Sequence, residues 1–186
     1  MSALARYFKF TGRNVAGYDR TPTALTRAMQ AEGIDIHFED DIRKIPSNWD
    51  PANTLAVFTP ALPDEHKELS WFREKPIGLL KRAKVLGLVC NERSGIGVAG
   101  THGKTTTTSI VTHFLKSIGH PTLAFIGGVS KNLDSNFLYT ENFQTVVVEA
   151  DEFDRSFLTL YPKVGIITSV DADHLDIYGE KSKLVD

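Results

Sequence analysis

The stretch Gly100-Thr-His-Gly-Lys-Thr-Thr-Thr-Thr108 constrains this chain more than any other. It follows the apolar run Ile96-Gly-Val-Ala99 and leads into a segment that reads as a helix from Lys104 to about Ser117, closed by Gly119. Strand, glycine-rich turn and helix in that order are the context of a phosphate-binding loop. Glycines let backbone N–H groups come close to anion oxygens. The helix start adds donors that have no intrahelical acceptor, and the positive end of the helix dipole. Lys104 supplies a mobile cation for the outer phosphates, and Thr105 a hydroxyl suited to Mg²⁺. The general pattern asks for glycine where Val98 stands, but the shorter Gly-Thr-x-Gly-Lys-Thr form is met. Gly100, Thr101, His102, Gly103, Lys104, Thr105 and Thr106 are therefore the candidate nucleotide-binding residues. The competing reading, a threonine-rich helix cap beside a chance Gly-Lys, suits threonine's capping chemistry but not the strand that precedes it.

The rest of the chain repeats the alternation. Helical spacing covers Ala3 to Phe8, ended by Gly12, and a short strand is expected within Asn14–Asp19. A helix from Thr23 to about Glu32, with Pro22 near its first position, stops at Gly33. Strands are expected at Ile34–Phe38, Thr54–Phe58 and Pro76–Leu80, and helices at Asp64–Arg73 and Lys81 to about Val89. After the polar connection Asn91–Gly95, strands follow at Ile96–Ala99, Thr122–Ile126, Thr145–Glu149 and Val164–Thr168. Strands alternating with helices of this length imply βαβ units and a parallel sheet, an α/β fold. The chain opens on a helix, whereas a doubly wound fold places a strand and a glycine-rich turn before it. The expectation is that Met1 is an internal residue of a longer protein.

Composition excludes several classes. With 21 Lys+Arg against 23 Asp+Glu, the net charge of -2 gives no electrostatic case for nucleic acid or an anionic membrane. A single cysteine, Cys90, excludes an internal disulfide or a cysteine zinc cluster, and it reads as a buried small apolar residue. No apolar run approaches membrane-spanning length, and the first residues lack the pattern of a secretory signal. The expected location is cytoplasmic.

Two further segments run from an apolar strand into carboxylates. Val146-Val-Val-Glu-Ala-Asp-Glu152 places Glu149 on the sheet at its carboxyl edge, where open parallel sheets bind ligands. A carboxylate there, opposite a phosphate loop, can hold Mg²⁺ directly or through water. Asp151 and Glu152 read equally well as solvated acids. Ile166-Ile-Thr-Ser-Val-Asp-Ala-Asp-His-Leu-Asp176 sets His174 between Asp173 and Asp176, either of which can orient its ring. Imidazole is an unusual Mg²⁺ ligand, so the chemistry of His174 stays open on the residues alone. Trp49, Trp71 and Phe72 read as packing residues and His66 as a surface helix residue. Arg82 reads equally as a sugar-nucleotide contact or a strand end.

Taken together, Gly100-Thr-His-Gly-Lys-Thr-Thr, Glu149-Ala-Asp-Glu-Phe-Asp and Asp171-Ala-Asp-His-Leu-Asp resemble, in order and spacing, the central ATPase domain of the Mur ligase family. Val15-Ala-Gly-Tyr-Asp-Arg-Thr21, Thr59-Pro-Ala-Leu and Lys81-Arg-Ala-Lys-Val-Leu-Gly87 resemble the family's UDP-binding domain, and Gly128 through Tyr161 fits the same relationship. The resemblance implies a Rossmann-like UDP-sugar domain over 1–93, lacking its first strand, and an incomplete central ATP-binding domain over 94–186. It implies ATP and Mg²⁺ as cofactors, and UDP-N-acetylmuramate and L-alanine as substrates in peptidoglycan synthesis. It makes Lys104, Glu149 and His174 catalytic: Lys104 on the β/γ-phosphates, Thr105 on one Mg²⁺, and Glu149 with His174 on a second. The Gly127-Gly128 turn is expected to line the nucleotide site. Alternatives are a related ligase that attaches recycled murein tripeptide, or a non-catalytic nucleotide-binding module. These 186 residues alone are expected not to ligate. A GTPase switch is disfavoured because no Asn-Lys-x-Asp stretch is present.

Overall fold

A computed structural model describes residues 1–150 and 157–170. The chain forms two compact units, Met1–Val85 and Leu86–Asp186. In the first, α1 (Ser2–Phe10) and α2 (Ala24–Ala31) accompany the parallel pair β1 (Ala16–Tyr18) and β2 (Asp35–His37), with Gly17 opposite Ile36. Met29, Ile34 and Ile36 are buried together, and Ala5, Val15, Leu25 and Phe38 pack on them. Arg6, 6% exposed, forks onto Glu32, with Nε 2.8 Å from Oε2 and Nη2 2.7 Å from Oε1. A buried guanidinium is tolerable because its partner is bidentate. Thr23, not Pro22, starts α2. Its Oγ1 accepts from the Thr26 N–H while Thr26 Oγ1 accepts from the Thr23 N–H, a reciprocal capping box, and Pro22 lies one residue outside.

A second parallel pair joins β3 (Leu55–Phe58) to β4 (Gly78–Lys81), with α3 (Lys67–Arg73) between them in sequence. Short 3₁₀ turns at Ile42–Lys44 and Pro51–Asn53, capped by Asp41 and Asp50, were not anticipated from the sequence. The expected helix from Asp64 begins only at Lys67. His66 is its cap, not a surface residue: it is 5% exposed, and its Nδ1 lies 3.3 Å from the Leu69 N–H and 3.2 Å from Asp40 Oδ1.

The helix α4 (Arg82–Cys90) crosses the division between the units, opens at Arg82 and ends on buried Cys90. The second unit carries a five-stranded sheet of order β7-β6-β8-β5-β9. β5 (Ser94–Ala99) lies parallel to β8 (Thr145–Glu149) on one side and to β9 (Val164–Ile167) on the other. Val98, Leu123, Val146, Val147 and Val148 are at most 1% exposed, as strands covered on both faces require. α5 (Lys104–Ser117) lies over the sheet, and Val111 and Leu115 pack against Ala124, Ile126 and Val147. The sequence reading stopped β6 at Ile126. It runs Thr122–Ser130 and turns back through an unanticipated antiparallel strand, β7 (Ser135–Tyr139).

Candidate active site

Because β5, β8 and β9 are parallel neighbours, their carboxyl ends reach one edge. From β5 the chain passes through Gly100–Gly103 into α5. Gly100 (φ +124) and Gly103 (φ +83) adopt the left-handed region that disfavours other residues. Gly103 is the N-cap of α5 and, having no side chain, offers no side-chain cap hydrogen bond. Lys104 folds back over the loop, its Nζ 2.6 Å from the Gly100 carbonyl and 3.3 Å from that of Thr101.

Glu149, at the end of β8, faces this helix start. Thr105 Oγ1 donates to Glu149 Oε1 at 3.0 Å, and the Gly127 N–H donates to Oε2 at 2.8 Å. Gly127 lies within β6, not in a turn. Between Phe125, opposite Phe137, and Ser130, opposite Ser135, β6 bulges, and the bulge turns the Gly127 N–H toward the carboxylate. A Cβ at Gly127 would sit 2.5 Å from Glu149 Oε2 and 2.6 Å from Cδ, so the carboxylate occupies the space a side chain would need. Thr101, His102, Gly103, Lys104, Thr105, Thr106 and Glu149 line a cleft of about 300 Å³. Every loop residue expected from the sequence lines it except Gly100. A larger hollow of about 500 Å³ in the first unit, between Asp40–Arg43 and Lys67–Glu74, has no glycine among its lining residues.

The donor set suits a hard divalent cation. Thr105 hydroxyl and Glu149 carboxylate oxygens converge within 3.0 Å, and oxygen is what Mg²⁺ prefers. Among the described residues no group of three or more His, Cys, Asp or Glu could hold a metal. His174, Asp151, Glu152, Asp171, Asp173 and Asp176 lie outside the described residues.

Two residues that sequence reasoning passed over hold the loop from the side of β9. The Thr168 N–H donates to the Ala99 carbonyl at 3.0 Å, and Thr168 Oγ1 donates to the His102 carbonyl at 2.5 Å. The Ser169 carbonyl accepts from the Thr101 N–H at 2.9 Å, and Ser169 Oγ accepts from the His102 N–H at 3.1 Å. Their only sequence signal was the pair of hydroxyls directly after an apolar strand.

Residues 1–94 match the family model described as "Mur ligase family, catalytic domain", and residues 98–186 match "Mur ligase middle domain". The chain is 55% identical over 179 residues to a UDP-N-acetylmuramate--L-alanine ligase of Flavobacterium johnsoniae, covering 96% of this chain and 40% of that protein. Against the same-named protein of Christiangramia forsetii it is 54% identical over 186 residues, covering 99% and 41%. The chain thus spans about 40% of the length of these relatives. A crystal structure of UDP-N-acetylmuramate-alanine ligase from Thermotoga maritima superposes with a TM-score of 0.86 at 29% identity, over 99% of this chain and 42% of that one. Among the described residues no helix is long and apolar enough to cross a membrane. A glycine-loop helix start facing a strand-end carboxylate, on an α/β scaffold matched along nearly its whole length, places this chain in the Mur ligase family, which uses ATP.

Proposed function

We propose that the protein carrying this chain joins L-alanine to UDP-N-acetylmuramate at the expense of ATP, in the cytoplasm, as a step of peptidoglycan synthesis. What supports the reading is identity of about half, across essentially this whole chain, to proteins bearing that name. In the reaction a carboxylate oxygen of UDP-N-acetylmuramate attacks the γ-phosphorus of ATP and ADP leaves. The amine of L-alanine then attacks the acyl carbon, phosphate leaves, and an amide remains. The difficulty is charge on the transferring phosphoryl group and positioning of its partners, not covalent chemistry by the protein.

Each residue has a part in that. The amides at the start of α5 hold phosphate oxygens. Lys104 leaves the Gly100 and Thr101 carbonyls for the outer phosphates, where its charge counts most as the phosphoryl group transfers. Thr105 and Glu149 hold Mg²⁺, which when bound neutralises phosphate charge, and Gly127 keeps the Glu149 carboxylate aimed. His174 is proposed as a second metal-site residue with Glu149. A division of labour between residues 1–93, for the sugar nucleotide, and 94–186, for ATP, follows the same reading.

The test is phosphate release by the full-length protein with ATP, Mg²⁺ and UDP-N-acetylmuramate. L-Alanine-dependent release with formation of UDP-N-acetylmuramoyl-L-alanine is expected. Release that depends instead on murein tripeptide would replace the substrate assignment. Release with neither amine would remove the ligase reading.

A further inference from the structure

We infer that Thr168 and Ser169 are positioning residues of the phosphate site: a strap at the end of β9 that fixes the loop Gly100–Gly103 in its anion-binding shape. The inference rests on reading that loop as the nucleotide phosphate site.

A loop with two glycines in the left-handed region has more freedom to lose than most, and any ordering left to the ligand is subtracted from its affinity. Loop and neighbouring backbone groups are held from one side. The Thr168 N–H meets the Ala99 carbonyl at 3.0 Å, and the Thr168 hydroxyl spans from that carbonyl, at 3.1 Å, to the His102 carbonyl, at 2.5 Å. Having one proton, that hydroxyl serves chiefly the shorter contact. The Thr101 N–H reaches the Ser169 carbonyl, and the His102 N–H reaches Ser169 Oγ. Two loop amides are thereby directed at β9 and away from the cleft, leaving phosphate to the amides at the start of α5.

The strap also explains the first glycine. A Cβ on Gly100 would overlap Thr168 Oγ1 and stand 2.8 Å from the Ser169 backbone nitrogen and carbonyl oxygen. Gly100 does not line the cleft. Both its positive φ and the strap against it call for glycine there, whereas at Gly103 the positive φ at the helix start alone does so. His174 follows Ser169 closely in the chain, so the strand that holds the loop also leads to the imidazole proposed for the metal.

Thr168→Val keeps the shape of the side chain and removes its hydroxyl. The His102 carbonyl is solvent-exposed, so water replaces the lost donor and the fold is retained while the loop is no longer pinned. The experiment is calorimetric titration of Mg·ADP into the full-length protein and its variants, with thermal melting in parallel. Thr168→Val is expected to weaken ADP about 10-fold, as a hydrogen bond of about 1.4 kcal/mol would, with the melting temperature within about 3 °C of the parent. Thr168→Ser restores affinity, and Ser169→Ala gives a smaller loss. Unchanged affinity in Thr168→Val, or a loss that Thr168→Ser does not restore, overturns the strap. If Thr168→Val does not fold, Ser169→Ala decides, and parental affinity there overturns it. A full-length parent that binds no Mg·ADP removes the phosphate-site reading and the strap with it.

Discussion

Two helices of the first unit, α2 and α3, begin in the opposite way to α5 of the second. In the first unit the start of α2 is closed by its own Thr23–Thr26 box, and that of α3 by a carboxylate from elsewhere in the unit. Asp40 accepts from the Lys67 N–H at 2.9 Å and the Glu68 N–H at 3.1 Å, and His66 Nδ1 lies against the Leu69 N–H. In the second unit α5 begins on Gly103 with no side-chain cap, and the carboxylate of Glu149 is turned onto Thr105 and Gly127. A helix start binds an external anion when the protein declines to satisfy it from within. On the proposed reading, the same amides are structural where an aspartate caps them and serve phosphate where the cap is a glycine with no side chain.

The sharpest way to break this contrast is Lys104→Ala in the full-length protein. It removes the cation meant for phosphoryl charge and leaves every cap intact. We expect a fall in kcat on the order of 10²–10³-fold, read beside the melting temperature of the same variant, with Lys104 Nζ bound to the Gly100 and Thr101 carbonyls in the parent. Near-normal turnover would show that the open helix start is not the phosphate site.

Next in size is Gly127→Ala. The added methyl cannot share space with the Glu149 carboxylate, whose flexible end must move. Groups that orient a metal ligand are typically worth about 10–100-fold in metal affinity. The Mg²⁺ concentration for half-maximal turnover should rise by about that factor, while ADP binding in EDTA stays as in the parent. Gly165→Ala, where a Cβ meets nothing within 4 Å, is the control. Equal Mg²⁺ dependence in Gly127→Ala and the control would show that the Gly127 contact does not aim the carboxylate.

The start of α5 was legible in the sequence and the capped start of α3 was not, for a physical reason. Gly100-Thr-His-Gly-Lys-Thr is local: strand, loop and helix follow one another, and each residue's part depends on its immediate neighbours. Asp40 caps residues far along the chain, and His66, placed on a surface in the sequence reading, becomes a buried cap only when Asp40 and Tyr18 come up against it, the two rings 4.7 Å apart. Thr168 and Ser169 are likewise ordinary hydroxyls until β9 lies beside β5. Glu149 was found because a strand end is also local. Its partner Gly127 was noticed, but as part of a turn, since nothing in Phe125-Ile-Gly-Gly-Val-Ser130 reveals the antiparallel partner that makes the bulge.

A milder test sits on the capped side. Thr23→Ala opens the start of α2 without placing glycine, lysine or a facing carboxylate around it. It should cost about 1 kcal/mol of stability in urea unfolding and leave Mg·ADP affinity alone. A change in that affinity would mean that the units do not keep cap and site separate.

The smallest effect is the pH dependence of the α3 cap. Burial pushes the Asp40 carboxyl up, but the Lys67 and Glu68 N–H donors, with the charges of His66 and Lys67, outweigh it and hold it below the ordinary 3.8. A carboxyl with a depressed folded pKa contributes its full stability above the unfolded value and loses it as pH falls through the folded one. Asp40→Ala should therefore cost about 1 kcal/mol at pH 7, and the gap from the parent should begin to close below about pH 4. Asp41, held at about 2 chiefly by its hydrogen bonds to Arg43, titrates lower still and is present in both proteins, so it cancels in the difference. Urea unfolding of parent and variant at stepped pH reads that difference directly. If it stays constant down to pH 3, Asp40 acts through packing and not as the charged cap of α3, and the contrast with α5 then rests on α2 alone.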